Sequence, residues 1–458
     1  MIRKLVTIIV FFTLTEFTSL LVGFAFGQEG SVAKQLSLND CIKIALERNT
    51  TVLQSQYQAE SQDAKVLSAY GNLLPSFSAT GQFAYTDQRS PVGYRSFQGI
   101  LIPTSGGITI NRQYSAGVSA DYTLFDGFSN YATVNQANSA SQSADLGFDR
   151  SKQTGAYQTT VNYLSVFNAR DQLKIWQDNV ARDLQQLETI KEQNSVGSAS
   201  LAQVYQQQSQ VAADEYSLVQ AKNNYDLAQS TLKFFLGIPV TDSVVFADST
   251  VRSDIDTTVF IQINQQFSQT AGVIDKAIQE RPDYQAAVAN LNASKSSLTI
   301  AEAAYSPVIG LTASYGLSGP QTNTISDNKS FYGGLSISLP IFNGFQTQSN
   351  IQAADIGVKS SEQSLDNTRR QVQLDVYQAL LNLYSSEKQY EAGVNSVAYA
   401  KINLETEQEK YTIGGATLLD VLTANAQYTL ALSNKVIAAY AYIQAKQQVE
   451  YAMGTMNY

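Results

Sequence analysis

The sequence predicts a mainly α-helical fold with a small β part, built from long coiled-coil hairpins. Three observations support this prediction: two long proline-free segments of equal length, heptad repeats that follow each of them, and four short segments in which apolar and polar residues alternate. Only eight prolines occur in 458 residues. Such a composition favours long uninterrupted helices over many short elements.

The N-terminus has the pattern of a secretory signal peptide. Arg3 and Lys4 precede an apolar run that ends in the small-x-small triplet at 25–27. We therefore predict a signal peptide over residues 1–27, with cleavage before Gln28. An uncleaved transmembrane anchor is the alternative, since the run is about long enough to span a bilayer. Because Gln28 is not a cysteine, no lipid anchor is expected.

The composition excludes several classes of function. The chain has one cysteine, Cys41, and no histidine, which excludes an internal disulfide, histidine-based catalytic triads and histidine metal ligands. It has no Gly-x-x-x-x-Gly-Lys phosphate loop, and a formal net charge of −9 disfavours nucleic-acid binding. We expect no enzymatic activity, no cofactor and no metal. Any transport would draw its energy from a partner.

An internal repeat organises the chain. The sequence LFDGF at 124–128 recurs as IFNGF at 341–345, and GSASLAQV at 197–204 recurs as GGATLLDV at 414–421. The offset between the first and second copies is identical for the two motifs, so the stretches between the motifs have equal length.

Long helices are predicted between the repeated motifs. Residues 129–194 and 346–411 lack proline and would each form a helix of about 100 Å at 1.5 Å per residue. A helical pattern then continues to about Leu236 and about Met453. Heptad positions there are occupied by Val204, Val211, Leu218, Tyr225 and Leu232, and by Ala424, Ala431, Ala438, Ala445 and Ala452. Such repeats are typical of coiled coils; an amphipathic helix in a globular core is the alternative.

The glycine motifs predict tight helix-to-helix turns at the ends of these hairpins. Gly197 and Gly414 can end the preceding helix in a left-handed conformation. The residues that follow have capping-box spacing in both copies: Ser200 with Gln203, and Thr417 with Asp420.

Four segments of about ten residues have the alternation of β-strands, at 76–85, 114–124, 309–317 and 334–341. They suit transmembrane barrel strands, with one face toward lipid and one toward water, or half-buried sandwich strands. Strands beside helices of about 100 Å cannot form a sandwich of their own, which favours the membrane. Four strands cannot close a barrel, so several copies must combine; three copies would supply twelve strands.

These patterns divide the chain into a first repeat, an equatorial connector and a second repeat. Their boundaries are 28–236, 237–270 and 271–458, with β-hairpins at 76–124 and 308–341 and tip turns at 195–200 and 412–417.

The chain resembles the TolC family of outer-membrane factors over almost the whole mature sequence. The opening segment LSLNDCI at 36–42, the segment RPDY at 281–284, the strand-to-helix junctions and the glycine turns carry the resemblance. It implies a homotrimer with a twelve-stranded barrel in the outer membrane and a helical tunnel across the periplasm. It also implies docking on a periplasmic adaptor (membrane fusion) protein and an inner-membrane pump of the RND or ABC type, for efflux or type I secretion.

The resemblance further implies roles for residues near the tips. Asp420 and Thr423 stand where the family lines its pore constriction, although well-studied members have Asp at the place of Thr423. Tyr411 matches a latch tyrosine, whereas Ala416 and Gln203 replace a latch Arg and Asp, so a weaker closing network is expected. Asp420 also has a capping role, which is compatible with lining the pore. The alternative function is a coiled-coil structural or surface protein of the outer membrane without transport.

Overall fold

The structure is a computed structural model that describes residues 34–104, 106–248, 251–256, 258–267, 269–456 and 458. The predicted signal peptide lies outside the described residues. The fold class is confirmed, because long helices form most of the described chain and a small β part completes it.

The first repeat and the connector contain ten described elements before residue 248. In chain order these are β1 (Lys34–Leu36), α1 (Leu38–Arg48), α2 (Thr50–Gly71), β2 (Ser76–Ser90), β3 (Gly93–Phe97), β4 (Ile100–Thr104), β5 (Gly107–Phe125), α3 (Ser129–Ser195), α4 (Leu201–Phe235) and β6 (Val244–Phe246).

The remaining described elements belong to the end of the connector and to the second repeat. They are α5 (Thr258–Gln266), α6 (Thr270–Glu280), α7 (Pro282–Ala303), β7 (Val308–Gly319), β8 (Asn328–Ser338), α8 (Gln346–Thr412) and α9 (Leu418–Ala452).

The two longest helices, α3 and α8, start in the same way in both repeats. Each follows a glycine and a phenylalanine in the left-handed conformation, with φ of 69° at Phe128 and 66° at Phe345. The polar residue before that glycine caps the helix: Asp126 Oδ2 accepts from the Asn130 N–H at 2.9 Å, and Asn343 Oδ1 accepts from the Thr347 N–H at 3.4 Å. Both helices have 67 residues and a length of about 100 Å.

Shorter helices break where a polar residue interrupts the pattern. Helices α1 and α2 are separated at Asn49, which ends α1 and caps α2 by accepting from the Thr51 N–H at 2.9 Å. Helices α6 and α7 likewise divide at Arg281, since Pro282 favours the first position of a new helix.

The alanine heptads of α9 form the predicted close-packed seam. All five alanines at these heptad positions are buried. At Gly393 in α8 an added Cβ would lie 3.2 Å from Lys435 Cα in α9, so the two backbones approach closely. The first hairpin pairs α3 with α4, and α3 also contacts α9 of the second repeat.

The main sheet has four antiparallel strands in the order β2-β5-β7-β8. Its register places apolar residues in rows on one face: Phe77, Ala120 and Ala313; Ala79, Val118, Tyr315 and Phe331; Tyr122, Leu311 and Leu335. The opposite face is polar, and there Ser78 bonds to Ser119 at 2.8 Å and Thr312 donates to Asp121 at 2.9 Å. Strands β2 and β8 are the edges of this sheet among the described residues.

The strands differ from the sequence prediction in extent. The fourth strand begins at Asn328 and ends at Ser338, two residues before Pro340, which cannot donate to a β-ladder. The loop expected at 86–113 is largely a two-stranded ribbon, because β2 and β5 continue into it and β3 pairs with β4. Gln98 and Gly99, with φ of 49° and 79°, turn the ribbon.

A belt packs around the middle of the helices. Strands β1 and β6 pair in parallel, and Leu36 and Phe246 bury against Tyr163 and Phe167 of α3. Cys41 belongs to the same cluster, and burial raises the pKa of its thiol to about 12. No helix in the described part of the chain combines the length and apolar character needed to cross a membrane.

Candidate functional site

Both hairpins end in a glycine turn. Gly197 has φ of 79° and Gly414 has φ of 81°, the left-handed region that favours glycine. The residue after each glycine donates its N–H back into the ending helix: Ser198 to the Gln193 carbonyl at 2.8 Å, and Gly415 to the Lys410 carbonyl at 2.7 Å. These bonds satisfy carbonyls that the end of a helix leaves unpaired.

The next helix of each hairpin starts with a reciprocal cap. Gln203 donates its N–H to Ser200 Oγ at 3.3 Å and its Oε1 accepts from the Ser200 N–H at 2.8 Å. In the second repeat, Asp420 donates its N–H to Thr417 Oγ1 at 3.3 Å, and its Oδ2 accepts from the Thr417 N–H at 2.9 Å. The side chain of Gln203 thus caps its own helix, α4.

Asp420 and Thr423 lie on the first two turns of α9, three residues apart and both exposed. Hydrogen bonds from Thr417 hold the pKa of Asp420 below its ordinary value in the single protomer. Thr423 donates its hydroxyl to the Leu419 carbonyl at 2.7 Å. A small polar surface containing one carboxylate therefore borders the second tip.

Tyr411 is half-buried on the inner side of the tip. It packs against a cluster that contains Leu187 and Leu418, and burial raises the pKa of its phenol. It also lines a polar groove of about 410 Å³ between α3 and α8, together with Arg182 and Gln408. Ala416 is half-buried in the turn itself.

The sequence did not predict two features of the hairpins, one at the tips and one further along the helices. Val196 and Ile413, at equivalent positions of the two repeats, expose 78% and 83% of their surface immediately before the turn glycines. The repeat itself could have revealed this pair, since both copies place an apolar residue there. A buried polar layer also lies further from the tip, and its signal was Gln207 and Asp214 at the inward positions three residues after Val204 and Val211.

Comparisons with known proteins identify the class. The sequence profile of the outer membrane efflux protein family matches residues 41–238 and 273–455, and the chain belongs to this family. It is 22% identical to outer membrane protein TolC of Salmonella enteritidis over 447 residues, which covers 96% of this chain and 86% of that protein. It is 23% identical to cation efflux system protein CusC of Escherichia coli K12 over 360 residues, with coverage of 76% and 74%.

Solved structures share the fold. The outer membrane channel CmeC of Campylobacter jejuni superposes with a TM-score of 0.75 at 17% identity, covering 91% of this chain and 85% of that one. The outer membrane protein VceC of Vibrio cholerae superposes with a TM-score of 0.76 at 16% identity, with coverage of 91% and 96%.

The protein is an outer-membrane efflux channel. Its family consists of channels that act with partner proteins in efflux systems. The predicted function and location are confirmed, and the coiled-coil structural alternative is not supported.

Proposed function

We propose that three copies of the chain close into one duct, in which a twelve-stranded barrel continues into a helical tunnel that conducts cargo passively. The observation that carries this proposal is the four-stranded sheet with its two edges, β2 and β8, and its exposed apolar face. Phe77, Val118 and Leu335 on that face are 79%, 56% and 62% exposed. Lipid suits such a face but does not tolerate an open strand edge, so β8 of one copy pairs with β2 of the next.

The packing of the helices supports the same closure. Helix α3 packs between α2 and α7, and α7 packs on α8. The helices α2 and α7 both contain 22 residues, and α3 and α8 both contain 67, so α8 is equivalent to α3. Within the described protomer, however, α8 packs against only one of the two 22-residue helices, α7. Helix α2 of the next copy supplies the second neighbour.

A comparison of the two helix junctions points to the same neighbour. A Cβ added at Gly127 would lie 2.9 Å from the carbonyl oxygen of Ala303 at the end of α7. A Cβ added at the equivalent Gly344 meets no atom within 4 Å. Leu67 near the end of α2 and Leu74 just after that helix are 76% and 67% exposed, which suits a surface that packs against the next copy.

The second tip forms the constriction of this duct. Three-fold symmetry brings three Asp420 carboxylates and three Thr423 hydroxyls around one axis. Thr417 lowers the pKa of each Asp420 in a single protomer, whereas mutual repulsion in a ring raises it. Because the ordinary pKa of an aspartate is about 4, the ring keeps negative charge at neutral pH even when repulsion raises that pKa. The constriction therefore selects for cations.

The tips also offer a docking surface for the partners of an efflux system. Val196 and Ile413 place two exposed apolar side chains at the end of each protomer, and a trimer presents six of them in a ring. A periplasmic adaptor protein that covers this ring would join the duct to an inner-membrane pump of the RND or ABC type. Those partners supply the energy.

Electron cryo-microscopy of the detergent-extracted protein tests this function. The expected result is a three-fold particle with a hollow stalk whose helices are about 100 Å long. A monomer, or a solid coiled coil without a lumen, would overturn the proposal.

A further inference from the structure

A buried pair of carboxyl groups lies between the helices of the first hairpin. Asp183 of α3 is 3% exposed and Asp214 of α4 is 5% exposed. Their side chains lie within hydrogen-bonding reach of each other. Neither residue takes part in the turns, the caps or the constriction described above.

The hydrogen-bond donors around this pair are neutral amides. Asp183 accepts from Asn179 at 3.3 Å, from Gln207 at 3.3 Å and from Asn425 at 3.2 Å. Asp214 accepts from Gln210 Nε2 at 3.3 and 3.2 Å. Among the described residues, no third acidic, cysteine or histidine side chain joins the pair to hold a metal ion.

The nearby cation is directed to other acceptors. Arg182 donates to Asn179 Oδ1 at 3.0 Å, to Asn425 Oδ1 at 3.3 Å and to Thr429 Oγ1 at 3.2 Å. On its α9 side it lies over the ring of Tyr428, and on its α8 side it shares the groove of Tyr411. The charged groups that bear on Asp183 are thus Arg182 from its own helix and Asp214 from α4, and no ion pair to either carboxylate forms within the described chain.

Two neighbouring carboxylates in a buried site resist ionising together when no cation bonds to either of them. One proton removes the conflict, since a protonated carboxyl donates a hydrogen bond to its ionised neighbour. Burial, together with the neighbouring Asp214, raises the pKa of Asp183 to about 7. That value falls in the range of pH that a periplasmic protein meets.

The same cluster joins the two repeats. Asn425 and Thr429 of α9 are buried, and they bond to Asn179 and Asp183 of α3 across the boundary between the repeats. Thr429 Oγ1 donates to Asn179 Oδ1 at 2.7 Å. Asp183 therefore contacts Asp214 of its own hairpin and Asn425 of the other repeat.

We propose that Asp183 and Asp214 form a proton-binding site that locks α9 of the second repeat against the first hairpin. One bound proton keeps the layer closed, and its loss leaves two buried negative charges that push α3 and α4 apart and loosen α9. Only the link between this buried layer and the tip of the duct rests on the proposed function. The site itself is tested without any transport measurement.

The sign of the pH dependence follows from the raised pKa. The closed layer binds a proton that the opened layer, with carboxyl groups near an ordinary pKa of about 4, does not bind. Opening therefore becomes up to about tenfold more favourable for each unit of pH between about 4 and 7, and is constant above about pH 7. The lock is strongest in acid.

Hydrogen exchange of the intact, detergent-extracted protein tests this behaviour. Protection of backbone amides in 176–190 and 204–216, corrected for intrinsic exchange rates, should fall by about tenfold or more from about pH 5 to about pH 7 and then stay level. Asp183→Asn or Asp214→Asn leaves one ionisable carboxyl and an amide, so the loss of protection with pH should disappear. Glu215→Gln, an exposed neighbour on α4, should behave like the unaltered protein.

An infrared measurement covers the case in which the variants fail to fold. The unaltered protein should show the C=O band of a protonated carboxylic acid near pH 6, and this band should disappear above about pH 8. Protection that does not change with pH, a pH response that survives in both Asn variants, or the absence of the carboxylic acid band near pH 6 would each overturn the proposal. Because neither readout involves conductance or trimer symmetry, its failure would leave the proposed duct untouched.

Discussion

The side chain of Arg281 joins four elements, and its replacement by methionine should be strongly destabilising. The side chain is 4% exposed, and its guanidinium bonds to both oxygens of Asp283 at 2.9 and 2.5 Å, to Asp375 at 2.8 Å and to the Ala452 carbonyl at 3.3 Å. Although burial opposes it, Arg281 holds the pKa of Asp283 below its ordinary value. Helices α7, α8 and α9 thus meet at the junction where α6 ends.

The magnitude follows from what the substitution leaves behind. Removal of one partner of a buried ion pair costs about 3–5 kcal/mol, because the other charge remains buried without compensation. Asp283 and Asp375 are 31% and 30% exposed, and Asp283 keeps an ion pair with Arg150 at 3.8 Å, so both charges are compensated in part. We expect Arg281→Met to lower the free energy of unfolding by about 2–4 kcal/mol.

Urea unfolding, followed by far-UV circular dichroism in detergent, measures this difference from the shift in midpoint. The matched control is Arg370→Met, whose pair with Asp366 is exposed and contributes about 0.5 kcal/mol or less. Adding Asp375→Asn to Arg281→Met should recover part of the loss, since it removes one of the stranded charges. Equal midpoints for the two arginine variants would refute this reasoning.

Two further predictions concern the helix junction and the tip. Gly127→Ala should cost about 2–4 kcal/mol in the same assay, because φ is +70° and the new Cβ would lie 2.9 Å from the Ala303 carbonyl oxygen. Gly344→Ala has φ of +67° and open space in the protomer, so its backbone strain alone should cost about 1–2 kcal/mol. In the proposed trimer the end of α2 of the next copy packs at this junction, so a cost close to that of Gly127→Ala is expected in the intact assembly, and a cost of only about 1–2 kcal/mol would contradict that neighbour. Asp420→Asn should reduce cation selectivity and the pH response of single-channel currents in planar bilayers. Asp355→Asn, far from the tip, should not, and unchanged selectivity in the Asp420 variant would exclude the constriction.

Much of the fold follows from the sequence because its signals are local or repeated. Absence of proline and equal spacing defined α3 and α8, and the alanine heptad defined the seam of α9. The first and last residues of the strands were harder to predict from the sequence. The ribbon beyond Tyr85 was expected to be a loop because its glycine, proline and asparagine content resembles a loop, whereas pairing with β5 carries the strand on to Ser90.

The polar layer shows why side-chain networks are harder to predict. Asp183 and Asp214 lie on different helices on either side of a tip turn, and their contact depends on the register between α3 and α4. Asn425 belongs to the other repeat, and only the packing of α9 on α3 brings it to Asp183 at 3.2 Å. A heptad pattern shows that a polar residue faces inward but does not show which distant groups meet it. The exposed tip residue Val196 has a local signal, whereas Asp183 has none.

The equal length of α3 and α8 has a consequence for how such a chain can change in evolution. Each helix has 67 residues, so the two turns of one protomer stand at the same height and three protomers end in a level rim. An insertion or deletion in one repeat alone would leave a step in that rim. Removal of one heptad from both arms of both hairpins would shorten the duct by about 10 Å while keeping the buried seams in phase. The length of the duct can therefore change only if both repeats change by the same amount, which couples the sizes of the two halves.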